Sequence, residues 1–115
     1  LKEINGIEVP GRFEEERYVG SSIQFRIPSI SKSDAELFVK KNKELGVELK
    51  WFGNDDPSGF TSNHKSWKYV SRQQLNMSDK ILSGLFDLRL PLTFSIDDCK
   101  HISKIIIECS SQFIK

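Results

Sequence analysis

The residues of this chain that can do chemistry gather between Lys50 and Tyr69, in "KWFGNDDPSGFTSNHKSWKY". Both tryptophans, two phenylalanines, a tyrosine and one of the two histidines fall in this stretch, around a Gly/Asp/Pro/Ser loop. A zinc site needs about four Cys, His or carboxylate ligands at short spacing. His64, His101, Cys99 and Cys109 form no such cluster, and Cys99 and His101, two residues apart on a helix, point to different sides. A nucleophile is no better supported: no G-x-S-x-G elbow occurs, and both cysteines fall on an apolar helix stripe, where a thiol is usually inert. "GNDDPSG" lacks the Lys-Ser/Thr ending of a phosphate cradle, and Asp55 and Asp56 would repel an anion. The same pair can attract a cation, but two carboxylates before Pro57 read more simply as a turn, because Asp bonds its own backbone and Pro presets the turn dihedral. "HKSWKY" mixes rings and cations in a way that can stack single-stranded bases, yet such a platform wants a basic groove, and an aromatic mini-core under a long loop competes with it. Trp51, Phe52, Phe60, Trp67 and Tyr69 want burial against this domain or a neighbour.

Elements on either side must hold this loop. "SSIQFRIP" alternates, with Ile23, Phe25 and Ile27 on one face and Gln24 and Arg26 on the other, a half-buried strand ended by Pro28. In "SKSDAELFVKKNKELG" the spacing of Ser33 and Glu36 is that of a capping box, Leu37, Phe38 and Leu45 share a side, and Gly46 sits where a left-handed cap belongs. A helix of about a dozen residues is expected there. "VELKWF" then gives a strand with Val47, Leu49 and Trp51 facing one way, directly before the aromatic loop. Beyond Tyr69, Ser78 can cap a short helix through Leu82, broken by Gly84. Leu88, Leu90 and Leu92 alternate with Asp87, Arg89 and Pro91, a strand that Pro91 makes short or places at an edge. The last helix is capped by Ser95 and Asp98, and Cys99, Ile102, Ile105, Ile106, Cys109 and Phe113 form a stripe that needs a sheet to cover it. The N-terminal "IEV" is a short alternating piece halted by Pro10 and Gly11, and Glu14 to Glu16 read as a solvated turn or edge. The expectation is an α+β fold, a small mainly antiparallel sheet of three to four strands with helices packed on one face. The other face, with Gln24, Arg26, Glu48 and Lys50, is left for solvent or another domain.

The 115 residues suit a single domain, 1–115, with one modest core. Seventeen Lys+Arg against sixteen Asp+Glu leave a net charge of +1 with neither sign in a tail, so no field selects nucleic acid or an anionic membrane as a partner. No apolar run exceeds three residues, which predicts neither signal peptide nor membrane span. Cys99 and Cys109 would stand about 15 Å apart along their helix, too far for a mutual bridge, and read as reduced thiols of a soluble cytoplasmic protein. The chain opens at Leu1 without an initiator Met and without a polar lead-in, as the cut end of something longer would.

"RYVGSSIQFRIP", "GVELKWFG" with "PSGFTSNHKSWKYV", and "LFDLRLPLTFSIDDCKHISKIII" together resemble the C-terminal small domain of the DegT/DnrJ/EryC1/StrS aminotransferases, PLP-dependent enzymes of the aspartate-aminotransferase fold. The resemblance spans nearly the whole chain and is most specific in "RLPLTFSIDDCKHI", similar to the family's Leu-Pro-Leu strand and capped helix. It implies a missing N-terminal large domain that carries the Schiff-base lysine, the acid facing the pyridine nitrogen and the phosphate cup. No lysine here sits in that catalytic motif, so no catalytic residue and no cofactor are expected on this chain alone, with PLP belonging to the full-length enzyme. What remains for the small domain is a wall of the cleft for a small-molecule substrate, packing against the large domain and a part in a possible homodimer. By that resemblance His64 falls near the family's substrate-loop histidine, and Trp51, Phe52 and Trp67 would shape the pocket for a sugar or another carbonyl substrate. The plainer reading of His64 is a loop histidine satisfied by backbone. Arg89 stands roughly where fold-type-I aminotransferases place an arginine that clamps the amino donor's carboxylate, and a surface salt bridge to Asp87 or Asp97 competes. The alternative function is a free-standing α+β module that binds a small ligand through the loop at 50–69.

Overall fold

The computed structural model describes residues 1–59 and 63–114; Phe60, one of the rings singled out above, lies outside them. Three strands, β1 (Ser22–Arg26), β2 (Lys50–Trp51) and β3 (Leu85–Arg89), form an antiparallel sheet in the order β1-β3-β2. Helix α1 (Lys32–Glu44) links β1 to β2, a short helix α2 (Asn76–Leu82) precedes β3, and α3 (Ile96–Ser110) ends the fold. The α+β architecture is the one the alternation and helix periodicity lead to.

Register explains the core. Phe86 lies opposite Phe25 on one side and Trp51 on the other, so three rings cross the sheet in one row. Phe86 stacks on Phe25 at 5.5 Å between centroids, and Phe38 of α1 meets Phe86 edge-on at 5.1 Å. Offset and edge-to-face geometries are those the ring quadrupole favours. Phe113, just beyond α3, meets Phe38 at 6.0 Å, so both long helices close over the same sheet face. Ile23, opposite Leu88, continues that face.

The termini of the helices follow local chemistry, with one shift. Ser31 caps α1 by accepting from the Asp34 N–H at 3.1 Å, two residues before the predicted Ser33, and the buried face becomes Ala35, Phe38 and Asn42. A hundred degrees per residue then turns Leu37 and Leu45 outward, where both are exposed. Gly46 follows the helix at φ +85°, the left-handed conformation that lets the chain reverse into β2. At α3 the capping box is complete: Ser95 Oγ accepts from the Asp98 N–H at 3.1 Å and Asp98 Oδ2 accepts from the Ser95 N–H at 2.8 Å. Ile106 and Cys109 are buried beneath α3, while Ile102, Ile105 and Phe113 pack half-buried around them. Cys99 is half-buried at the first turn, and both thiols are free.

β3 is short, as Pro91 requires, but central rather than at an edge, because the strand ends at Arg89 before the missing N–H matters. A turn closed by the Phe94 N–H to the Pro91 carbonyl at 3.0 Å follows, and it throws Leu92 fully into solvent instead of onto the strand's apolar face. α2 begins at Asn76, ahead of Ser78, with no side-chain cap. The N-terminal "IEV" makes one antiparallel bridge to β1, Glu8 to Arg26, reinforced by the Glu8 carboxylate 3.1 Å from the Arg26 guanidinium. Glu14 to Glu16 turn in solvent, with the Glu16 N–H donating to the Phe13 carbonyl.

Phe86 meets rings from β1 and α1 and lies opposite Trp51 of β2. Phe86→Ala is expected to cost about 3–5 kcal/mol, by analogy with buried Phe truncations. Urea melts read by far-UV circular dichroism measure it, and a loss below about 1 kcal/mol would contradict the assignment of the core to this row.

Candidate functional site

β2 ends by delivering Trp51 and Phe52 to opposite sides of the chain. Trp51 turns into the core, 7% exposed, and its indole N–H donates to the Ser83 carbonyl at 2.9 Å. The chain can bend back over that ring because residue 53 is glycine: a Cβ there would lie 2.6 Å from the indole nitrogen. Phe52 faces the other way, its N–H bonded to the Leu85 carbonyl at 3.0 Å.

Beyond the loop a single 3-10 turn, His64–Ser66, brings the next two functional side chains together. Asn63, 7% exposed, caps it by accepting from the Lys65 N–H at 3.0 Å, while the Ser66 hydroxyl donates to the Asn63 carbonyl at 2.7 Å. Residues three apart eclipse on such a turn, so His64 and Trp67 fall on the same side. They meet a face of α2 that repeats at three and four residues, Ser78, Ile81 and Leu82, with Leu75 one turn before. Together with Phe52 these residues enclose an open-sided cleft of about 400 Å³. Its lining is almost all carbon, and the His64 imidazole and Ser78 hydroxyl stand out as polar groups.

His64 is fixed by a partner on α2. Its Nε2 lies 2.7 Å from Asp79 Oδ1, its side chain is only 10% exposed, and Lys65 Nζ reaches the other Asp79 oxygen at 3.4 Å. The hydrogen bond to His64, more than the one to Lys65, holds the Asp79 carboxyl below the usual aspartate range. Trp67 stacks on Tyr69 with centroids 5.9 Å apart and planes at 11°, a flat double ring at the cleft.

Of the five residues singled out in the sequence, Phe52, His64 and Trp67 therefore share one cleft. Trp51 is a core residue. Arg89 ends β3 on the other sheet face, beside a separate depression that includes Val47, Pro91 and Phe94. Its charge acts on Asp87, while Asp97, the other candidate partner, lies 3.4 Å from Lys100. His64 is satisfied by a carboxylate rather than by backbone. Asp55, in the turn before Pro57, forms an ion pair with Lys32.

One residue escaped the sequence reading, and a second was placed on the surface. Asp79 lies fifteen positions from His64, and nothing in local spacing couples them. Asp87 sits on the outer sheet face in the cross-strand row Gln24, Asp87, Lys50, where alternation predicts exposure, yet it is 1% exposed. Its Oδ2 has no hydrogen-bond partner among the described residues. Burial pushes this carboxyl up, and a hydrogen bond from Gln24 and the charge of Arg89 oppose the shift. Burial likewise pushes the Cys109 thiol up, which keeps it unreactive.

PLP does not fit the cleft as the described residues form it: among them no lysine or arginine lines it to hold an aldehyde or a phosphate. Among the described residues no group of three or more His, Cys, Asp or Glu side chains can hold a metal ion, and no helix is long and apolar enough to cross a membrane. Compared with known proteins, the chain matches no protein-family model, no curated protein and no solved structure.

Asp87 gives a pH-dependent prediction. The folded carboxyl binds its proton more tightly than the unfolded one, so its contribution to stability is fully present below the ordinary aspartate value of 3.8 and is lost as pH rises through the elevated value. Asp87→Asn removes that loss and is expected to stabilise the fold at pH 7 by roughly 1 kcal/mol, a few degrees in Tm. Thermal melts of both proteins at acid and neutral pH measure it; an equal or lower Tm for the variant at neutral pH contradicts the assignment.

Proposed function

We propose that this chain is the C-terminal small domain of a PLP-dependent, sugar-type aminotransferase, contributing one wall of the substrate cleft. The observation that carries the reading is the meeting of Phe52, His64 and Trp67 in a cleft left open on one side. An apolar enclosure with a few placed polar groups is the usual form of a small-molecule site, and aromatic faces suit the apolar faces of sugar rings. The order of elements agrees with the resemblance only in part, because Leu90, Pro91 and Leu92 lie in a turn beyond β3 and not on a Leu-Pro-Leu strand. Gly46 ends α1 and leads through β2 to the His64 loop, and Leu90, Pro91 and Leu92 join β3 to the capped α3. Leu92 and Ile96, both largely exposed beside that junction, offer apolar surface of the kind a second lobe covers.

In this reading PLP, held on a lysine of an N-terminal large domain, supplies the transamination chemistry in the cytoplasmic holoenzyme. The present residues bind and orient the substrate, exclude water from one side with Phe52 and Trp67, and offer the imidazole to a substrate hydrogen bond. Pairing with a second copy completes the arrangement the resemblance implies. Arg89 keeps a place at the amino donor's carboxylate only if the large domain brings that carboxylate to the outer sheet face.

A second reading is favoured by the contribution of three segments of this one chain to the cleft: β2's end, the 3-10 turn and α2. A free-standing binding module would hold its ligand there unaided. The reading frame upstream of the Leu1 codon separates the two. The aminotransferase reading expects it to encode a large domain with a cofactor-bearing lysine, and expects the purified 115-residue chain to take up no PLP absorbance. A translation start immediately before Leu1 overturns it in favour of the binding module.

A further inference from the structure

We infer that Asp79 decides what the cleft accepts: a ligand that combines a flat apolar face with a hydroxyl or N–H donor directed at Nδ1 of His64. The inference rests on the cleft reading above and extends it to the chemistry of the ligand. Asp79 Oδ1 lies 2.7 Å from His64 Nε2. An ionised carboxylate only accepts hydrogen bonds, so the proton of the neutral ring is on Nε2, and Nδ1 is left as an acceptor. Lys65 Nζ, 3.4 Å from the second Asp79 oxygen, helps keep that carboxylate charged. With its side chain 10% exposed, the His64 imidazole has little competition from water, while Asp79 stays 28% exposed.

The remainder of the lining sets the other half of the requirement. Phe52, Leu75, Ile81 and Leu82 offer only carbon, and Trp67, backed by its stack on Tyr69, is a flat wall. Ser78 can donate or accept, so its hydroxyl does not discriminate between donors and acceptors. A ligand that brings an ether or ketone oxygen to Nδ1 sets lone pair against lone pair and leaves the imidazole acceptor unsatisfied. Sites built to hydrogen-bond a hydroxyl reject analogues that lack it for this reason. Asp79 touches no ligand in this scheme; it is a positioning residue that acts through His64.

Benzyl alcohol and benzyl methyl ether are suitable probes, titrated into the isotopically labelled chain while the Trp67 indole and Ile81 methyl resonances are followed; imidazole nitrogen shifts read the His64 tautomer independently. The wild-type chain is expected to show the Nε2–H tautomer and to bind the alcohol about fivefold more tightly than the ether, the worth of one net hydrogen bond. Asp79→Ala should bring the two affinities within about twofold, and Asp79→Glu should restore the preference. An Nδ1–H tautomer in the wild type, or a preference unchanged by Asp79→Ala, overturns the inference. Equal binding of both probes by the wild type also overturns it while leaving the cleft reading standing, whereas no response to either probe removes the cleft reading and the inference with it.

Discussion

Everything in this domain is referred to the ring of Phe86. It is the second residue of the central strand, stacked on Phe25, struck edge-on by Phe38 and placed opposite Trp51 by the ladder. A shift of β2 by one residue against β3 would carry Trp51 to the outer face, so burial of that ring fixes the pairing of β2 although the strand is two residues long. Because Trp51 is pinned, Phe52 emerges at a defined point on the opposite side, and the aromatic loop begins from a rigid anchor. The position of the cleft is thus a consequence of how the core packs.

The far side of the loop is held by polar bonds. Asn63 organises the 3-10 turn, and the His64–Asp79 pair ties that turn to α2, a helix of seven residues with no side-chain cap. So short a helix gains little from its own hydrogen bonds and depends on tertiary contacts to persist. The cleft lies where a firmly packed edge and a lightly held helix face each other. Such an arrangement lets the outer wall adjust to a ligand while the Phe52 side stays in place.

Much of this was legible in the sequence, and the limits have physical causes. Strand alternation from Ile23 to Ile27 and the Ser95–Asp98 capping box are local signals, and the chain folds as they indicate. The cap of α1 moved to Ser31 because several hydroxyls precede that helix and only geometry selects which one reaches an orphan N–H. Leu92 carries the alternation past Pro91, where the strand has already ended. Clustering of rings in sequence singled out Trp51, Phe52, His64 and Trp67 together, but it cannot separate a tryptophan of the core from one that lines a cleft, and Trp51 is the former while Trp67 is the latter. Asp79 and the apolar face of α2 are brought to the loop by tertiary structure alone. Asp87 was hidden for a related reason: outward direction on a strand does not ensure exposure when long side chains such as Gln24 and Lys50 stand opposite it on both neighbouring strands.

A ligand-bound crystal structure of the protein encoded by the complete reading frame tests most directly whether the cleft between Phe52, Trp67 and α2 is one wall of a small-molecule site. The expected result is a ligand against the faces of Phe52 and Trp67, with a donor within hydrogen-bond reach of His64 and the opposite contacts made by residues outside 1–115. A ligand bound elsewhere, with Phe52 and Trp67 covered by the protein's own side chains, would contradict it.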